Sequence, residues 1–220
     1  MTVTVTTDGP SGAAIDTRLT LLTLVTNMCR EVGLPDPLKI VGSNDQTAKE
    51  LQHFMQEACE EVARRVDWGT LRATQDFTGT GTNASFDVPL DFTRLIQGTA
   101  VYANGQIVRG GLTADEWQTL PSSTGQPRYY HLRGETFQFW PYLPSGETAT
   151  IHYQSKHYTL AGYDYFRADD DLLLIPHQVA SKGLVWRWRR HVGQPFEDYL
   201  AEFEGILQQY ADFDIKDRTP

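Results

Sequence analysis

Three groups of side chains in this sequence have types and spacings that could do chemistry. Asp169, Asp170 and Asp171 run consecutively and could hold magnesium or calcium through their oxygens. They also stand just before a predicted helix, where the positive end of the macrodipole favours negative charge, so helix capping is their expected role. Residues 186–191 (WRWRRH) interleave aromatic rings with cations, a composition that can stack on bases and pair with phosphates. On a helix those residues spread around the axis. Trp188 is expected to face the core, while Arg187 and Arg190 share another side within reach of the acidic residues Glu197, Asp198, Glu202 and Glu204. A structural ion pair or a subunit interface is therefore expected over nucleic-acid recognition. Cys29, His53, Cys59, His152 and His157 are metal-ligand types, but His53 and Cys59 do not share a helix face and no pair has structural-zinc spacing.

Catalytic patterns are missing from the sequence. It contains no G-x-S-x-G, P-loop, G-x-G-x-x-G or H-E-x-x-H. No catalytic residue, metal or cofactor is predicted. The aromatic residues Tyr129, Tyr130, Phe137, Phe139, Trp140, Tyr142, Tyr153 and Tyr158 could line a carbohydrate site, but sheets use the same residues for packing, and core is the expectation.

The elements that must position these residues follow from pattern. The chain has 220 residues, a formal net charge of -9 and 40% hydrophobic residues. That length can bury a substantial core. An acidic chain is a poor candidate for tight, phosphate-driven DNA binding. No apolar run is long enough to span a bilayer, and the N-terminal residues lack the basic start and apolar stretch of a Sec signal. Two cysteines make no disulfide framework and point to a soluble intracellular chain.

Residues 1–18 read as an arm, in which Val3 and Val5 alternate with threonines before DGPSG interrupts any regular structure. A first helix is predicted over residues 20–32, with Gly33 as C-cap. A second follows Ser43 and Gln46, which have capping-box spacing, and buries Ala48, Leu51, Met55, Ala58 and Val62. From Trp68 the apolar period changes to two. Asn104-Gly105 predicts a type I′ hairpin, residues 133–135 turn a second hairpin, and Thr113 with Glu116 caps a short helix. Two more helices end the chain. One buries Val179, Leu184, Val185, Trp188 and Val192, the other Phe196, Leu200, Phe203, Leu207 and Tyr210. The predicted class is α+β: a helical bundle built from both ends of the chain, with an antiparallel β-sandwich or small barrel inserted. The predicted divisions are 1–18 (arm), 19–67 (helical hairpin), 68–160 (β domain), 161–213 (C-terminal helices) and 214–220 (tail).

Read in order, the segments GSNDQTAKELQHFMQEACEEVARRVDWGTLRATQDF, DFTRLI, PRYYHLRGETFQFWPYLPSGETATIHYQSKHY and DLLLIPHQVASKGLVWRWRRHVGQPFEDYLAEFE resemble the head-to-tail adaptor, or tail accessory factor, family of tailed bacteriophages. The resemblance runs from about residue 19 to residue 211 and rests on ordered structural patterns: R-R-x-D-W, G-E-T-F-Q-F-W-P and W-R-W. It implies a structural protein without enzymatic activity. Such a protein forms a ring, typically of twelve copies, below the portal and joins capsid to tail. DNA passes through its channel without specific recognition.

The implied partners are the portal protein, a downstream tail or nozzle/hub protein and identical subunits, with no membrane anchor and no cofactor. The implied location is the head–tail interface of the virion, after assembly in the host bacterial cytoplasm. Relatives reach the portal with the C-terminal tail, which makes Asp214, Ile215, Lys216, Asp217 and Arg218 the candidate portal contacts. Arg187, Arg190, Val3 and Val5 are the candidates for a subunit or channel interface, since an extended arm can add to a neighbour's sheet edge. A cell-wall glycan hydrolase using paired carboxylates and a nucleic-acid-binding module using residues 186–191 stand as the alternatives.

Overall fold

The computed structural model describes residues 18–82, 85–96 and 101–216, without the side chains of Phe213, Ile215 and Lys216. Helix α1 (Leu21–Val32) starts where the Thr20 side chain accepts from the Thr23 N–H. It stops at Gly33, whose φ of 78° is open to glycine at little cost. Helix α2 (Gln46–Arg65) is capped by Asp45, whose carboxylate accepts from the Ala48 N–H at 3.0 Å. The expected cap, Ser43, instead accepts from the Asp45 N–H inside the loop. Either residue could supply the capping oxygen, and Asp45 stands at the position from which it reaches the third amide of the helix.

Among the described residues eight strands follow: β1 (Arg72–Thr78), β2 (Ser85–Asp87), β3 (Phe92–Leu95), β4 (Val101–Ala103), β5 (Gln106–Val108), β6 (Tyr129–Arg133), β7 (Thr136–Trp140) and β8 (Thr148–Ser155). The short α3 (Ala114–Gln118), between β5 and β6, carries the predicted capping box of Thr113 and Glu116. In one sheet β8 is central, pairing antiparallel with β1 on one side and with β3 and β4 on the other, and β5 pairs with β4. The second sheet has the order β2-β7-β6, all antiparallel. The β4–β5 turn has positive φ at both Asn104 and Gly105, as a type I′ hairpin requires.

The two sheets meet at one corner, where Arg109 bridges Tyr129. They do not close, so the barrel alternative is corrected. Closure needs a continuous ladder, and single bridges cannot replace the short edges of β2 and β5. Side chains from both sheets share one apolar cluster, with Phe77, Val101, Val108, Phe137, Phe139 and Ile151 buried.

Helices α4 (His177–His191) and α5 (Glu197–Lys216) join α1 and α2 in a second apolar cluster. Leu24, Met28, Leu51, Met55, Leu184 and Phe203 are buried there. Gly183 lets α4 approach its neighbours, since a Cβ at this position would lie 2.9 Å from the Ala58 Cβ and 3.3 Å from the Phe203 ring. Val192 departs from the predicted buried face. It is the C-cap of α4 and 44% exposed. Tyr158, expected in the β core, is fully buried in the helical cluster with Phe166 against it.

Candidate partner-binding site

The helices and sheets are tied together at one polar junction built from the R-R-x-D-W and D-F-T-R-L-I segments. At the end of α2, the Trp68 indole N–H donates to the Val62 carbonyl at 2.8 Å. Arg94 on β3 donates to the Val66 carbonyl at 2.9 Å and forms a 2.6 Å ion pair with Asp67. Gln154, fully buried on β8, donates to the Trp68 carbonyl, and the Tyr153 hydroxyl donates to Asp91. Burial and the neighbouring Asp91 carboxylate push the Tyr153 phenol well above its ordinary range. Carbonyls at and just beyond the helix end thus take side-chain donors from Trp68 and from the sheet.

The two ends of the described chain come together beside this junction. A cavity of about 380 Å³ is lined by Arg18 and Leu19 at one end, Tyr210 and Asp214 at the other, and by Trp68, Ile175 and Pro176. Asp214 accepts from the Gly69 N–H at 3.1 Å. Of the predicted portal contacts, then, Asp214 is held against the junction. Lys216 is the last residue of α5, and the backbone of Ile215 lies in the same helix. Asp217, Arg218, Val3 and Val5 lie outside the described residues. The cavity lining itself was not predicted. Trp68 sits in a quoted motif, but nothing in its spacing shows that residues about 105 and 140 positions further on would share its surroundings.

Residues 186–191 are arranged differently from expectation. Arg187 is 9% exposed and turns toward α2, where its guanidinium pairs with Glu61 and reaches Glu57 at 3.8 Å. It also donates to the Gly183 carbonyl and lies over the Trp186 ring. The expected pairing with the acidic residues of α5 is made by other cations: Lys182 with Glu202, and Arg65 with Glu204. The register of α4 decides this, because its 187 position faces α2. Arg189 stacks on Tyr199 of α5 and donates to the Pro195 carbonyl. Arg190, three positions further along the same helix, is exposed.

The three aspartates do not cap the helix that follows them. That helix starts at His177, with Pro176 as N-cap and no side-chain cap. Instead, the Asp169 carboxylate accepts from the Ile40 and Val41 N–H groups, and that of Asp171 from the Arg167 and Ala168 N–H groups. Their backbone carbonyls take the first amides of α1, Leu21 onto Asp171 and Leu22 onto Asp169. The segment caps a helix about 150 residues earlier in the chain. No group of three or more potential metal ligands occurs among the described residues. Cys29 and Cys59 are buried, and burial pushes the Cys29 thiol up to about 11.

This geometry defines the class first: an α+β scaffold whose helices and sheets are locked through one junction, with both described chain ends on one cavity. The SU10 adaptor protein family matches residues 19–219, and the chain belongs to this family of phage head-to-tail adaptors. No curated protein matches it. Among the described residues no helix is long and apolar enough to cross a membrane.

Proposed function

We propose that the chain is one subunit of a ring, of twelve copies, that seats below the phage portal, joins capsid to tail and continues the DNA channel. The observation that carries this reading is the family match over residues 19–219. In this reading residues 19–67 and 161–213 form the helical unit and residues 68–160 the inserted β unit. Residues 214–218, of which 214–216 are the end of α5 and Asp214 rests on Gly69, offer the portal contact beside the junction cavity, and a tail or nozzle/hub protein attaches on the far side. The ring is a structural part of the virion head–tail interface, assembled in the host cytoplasm, and needs no cofactor and no membrane anchor.

Electrostatics support it. Each copy carries a net charge of -9, and a channel repeating that charge repels the DNA backbone and lets it slide. Arg187 and Arg189 are engaged within the chain, which favours packing over phosphate binding for residues 186–191. Arg190, exposed on the same helix, remains the interface candidate there. A heterologous contact that closes on itself gives a ring.

The test is the solution mass of the purified chain, alone and mixed with the portal protein of the same phage. A stoichiometric ring on the portal is expected. A chain that ignores the portal at micromolar concentrations overturns the reading.

A further inference from the structure

Strand β1 is an unprotected sheet edge. Among the described residues it pairs on one side with β8, in unbroken register over its 7 residues, and no strand lies on its other side. Edge strands are ordinarily kept short, bulged, or broken by proline or lysine, because their open backbone groups recruit other strands. The other edges follow this rule. β2 and β5 have 3 residues each, β3 carries a register shift, and β6 is bridged by Arg109. β1 is neither short, bulged nor broken by proline; its charges are Arg72 at one end and Asp76, and the Gln75 side chain donates to the Asp76 carbonyl. Burial along β1 alternates, with Phe77 buried and Ala73 packed in the β core, Gln75 partly buried in the same row, and Arg72, Thr74, Asp76 and Thr78 exposed.

The chain contains a segment that fits this edge. Residues 2–7 read TVTVTT. Laid on β1, Val3 and Val5 continue the row of Ala73, Gln75 and Phe77. The threonines then continue the polar row, where Thr78 already faces Thr148 and Asp76 accepts from the Thr150 hydroxyl. We infer that residues 2–7 of one copy add a strand to β1 of a neighbouring copy.

Chain length favours the neighbour. Arg18 shares a cavity wall with Thr70, two residues before β1 begins. Residues 8–17 span about 33 Å when extended, whereas β1 is about 23 Å long. A fully extended arm carries residues 2–7 past the far end of its own β1, a length that takes them off their own subunit. The inference rests on the ring reading and supplies its subunit contact: ladder hydrogen bonds for affinity and the Val3–Val5 row for register.

The experiment cross-links two differently substituted chains, Val5→Cys in one and Gln75→Cys in the other, mixed, assembled on the portal protein and oxidised. Ala73→Cys serves as a second acceptor for a register shifted by one pair. Neighbouring strands bring such Cα atoms within disulfide reach, and the native Cys29 and Cys59 are buried and do not compete. A linked dimer is expected from the mixture, absent from either variant alone and weak with Thr74→Cys, which lies on the opposite face. Deleting residues 2–7 is expected to abolish the ring and leave the unfolding midpoint of the free subunit unchanged.

Only intrachain linkage in a Val5→Cys/Gln75→Cys double variant places the arm on its own β1 and overturns the inference. A ring that forms without cross-links and survives the deletion overturns it while leaving the adaptor reading intact. No ring from the unsubstituted chain overturns both.

Discussion

Arg187 and Arg190 are three positions apart on one helix, yet they do different work. Arg187 is buried, and its planar fork is shared by Glu61 and the Gly183 carbonyl. Removing it leaves Glu61, 25% exposed, with Arg65 as its remaining partner and frees the Gly183 carbonyl of its side-chain donor. Arg187→Ala is therefore expected to lower unfolding stability by about 1–3 kcal/mol. Arg190→Ala, at an exposed position, should change it by less than about 0.5 kcal/mol. Urea midpoints of the two variants decide the matter. Equal midpoints would mean that the Arg187 pair does not hold α4 to α2. Sequence shows that three arginines lie between aromatic residues. Which one turns inward depends on the rotation of α4 against α2, and that is set by packing.

Among the elements, the crossing of α4 over α2 and α5 depends on a missing side chain at Gly183. Two effects oppose each other at a helical glycine. Alanine gains about 1 kcal/mol in helix propensity, but overpacking a tight contact costs about 1–3 kcal/mol. At Gly183 the new Cβ meets Ala58 at 2.9 Å, an atom fixed to a helix backbone, so the cost wins. Gly183→Ala is expected to lower the thermal midpoint. At Gly205 on α5 a Cβ meets nothing within 4 Å, so Gly205→Ala is expected to raise stability by about 0.5–1 kcal/mol. Calorimetry on the pair checks both signs, and a Gly183→Ala protein as stable as the parent would contradict the tight crossing. Helices α1, α2, α4 and α5 and the Asn104-Gly105 hairpin were legible from period and turn chemistry. The Asp45 cap was not, because Ser43 and Asp45 both offer a suitable oxygen.

At the scale of the whole molecule, stability should depend on pH through carboxylates held in their charged form. Arg65 holds Glu204 below its ordinary value of 4.5, Arg30 does the same for Asp36, and Thr113 for Glu116. A depressed folded-state pKa contributes stability that is fully present above the unfolded value and is lost as pH falls through the folded one. These groups therefore leave the thermal midpoint flat from pH 7 to about 5 and lower it below about 4.5. Glu204→Gln removes its share, less than about 1 kcal/mol for a half-exposed pair. Its deficit against the parent should shrink between pH 6 and pH 3. A constant deficit across that window would show that Arg65 does not act through the Glu204 charge.

By itself the sequence determined the α+β class, the order of helices and strands, the polar caps and the ordered motifs that mark the family. These are local properties, written in apolar period, turn residues and short spacings. Tertiary structure alone decided the contacts between distant segments. Asp67 meets Arg94, the carbonyls of residues 169 and 171 cap α1, Arg187 turns to Glu61, and Asp214 closes onto Gly69 beside the start of the described chain. Each joins groups that are able to pair with many others in the chain. Only the packing of the two apolar clusters selects which of those pairs form, because a buried polar group must take the partner that the packed core places beside it.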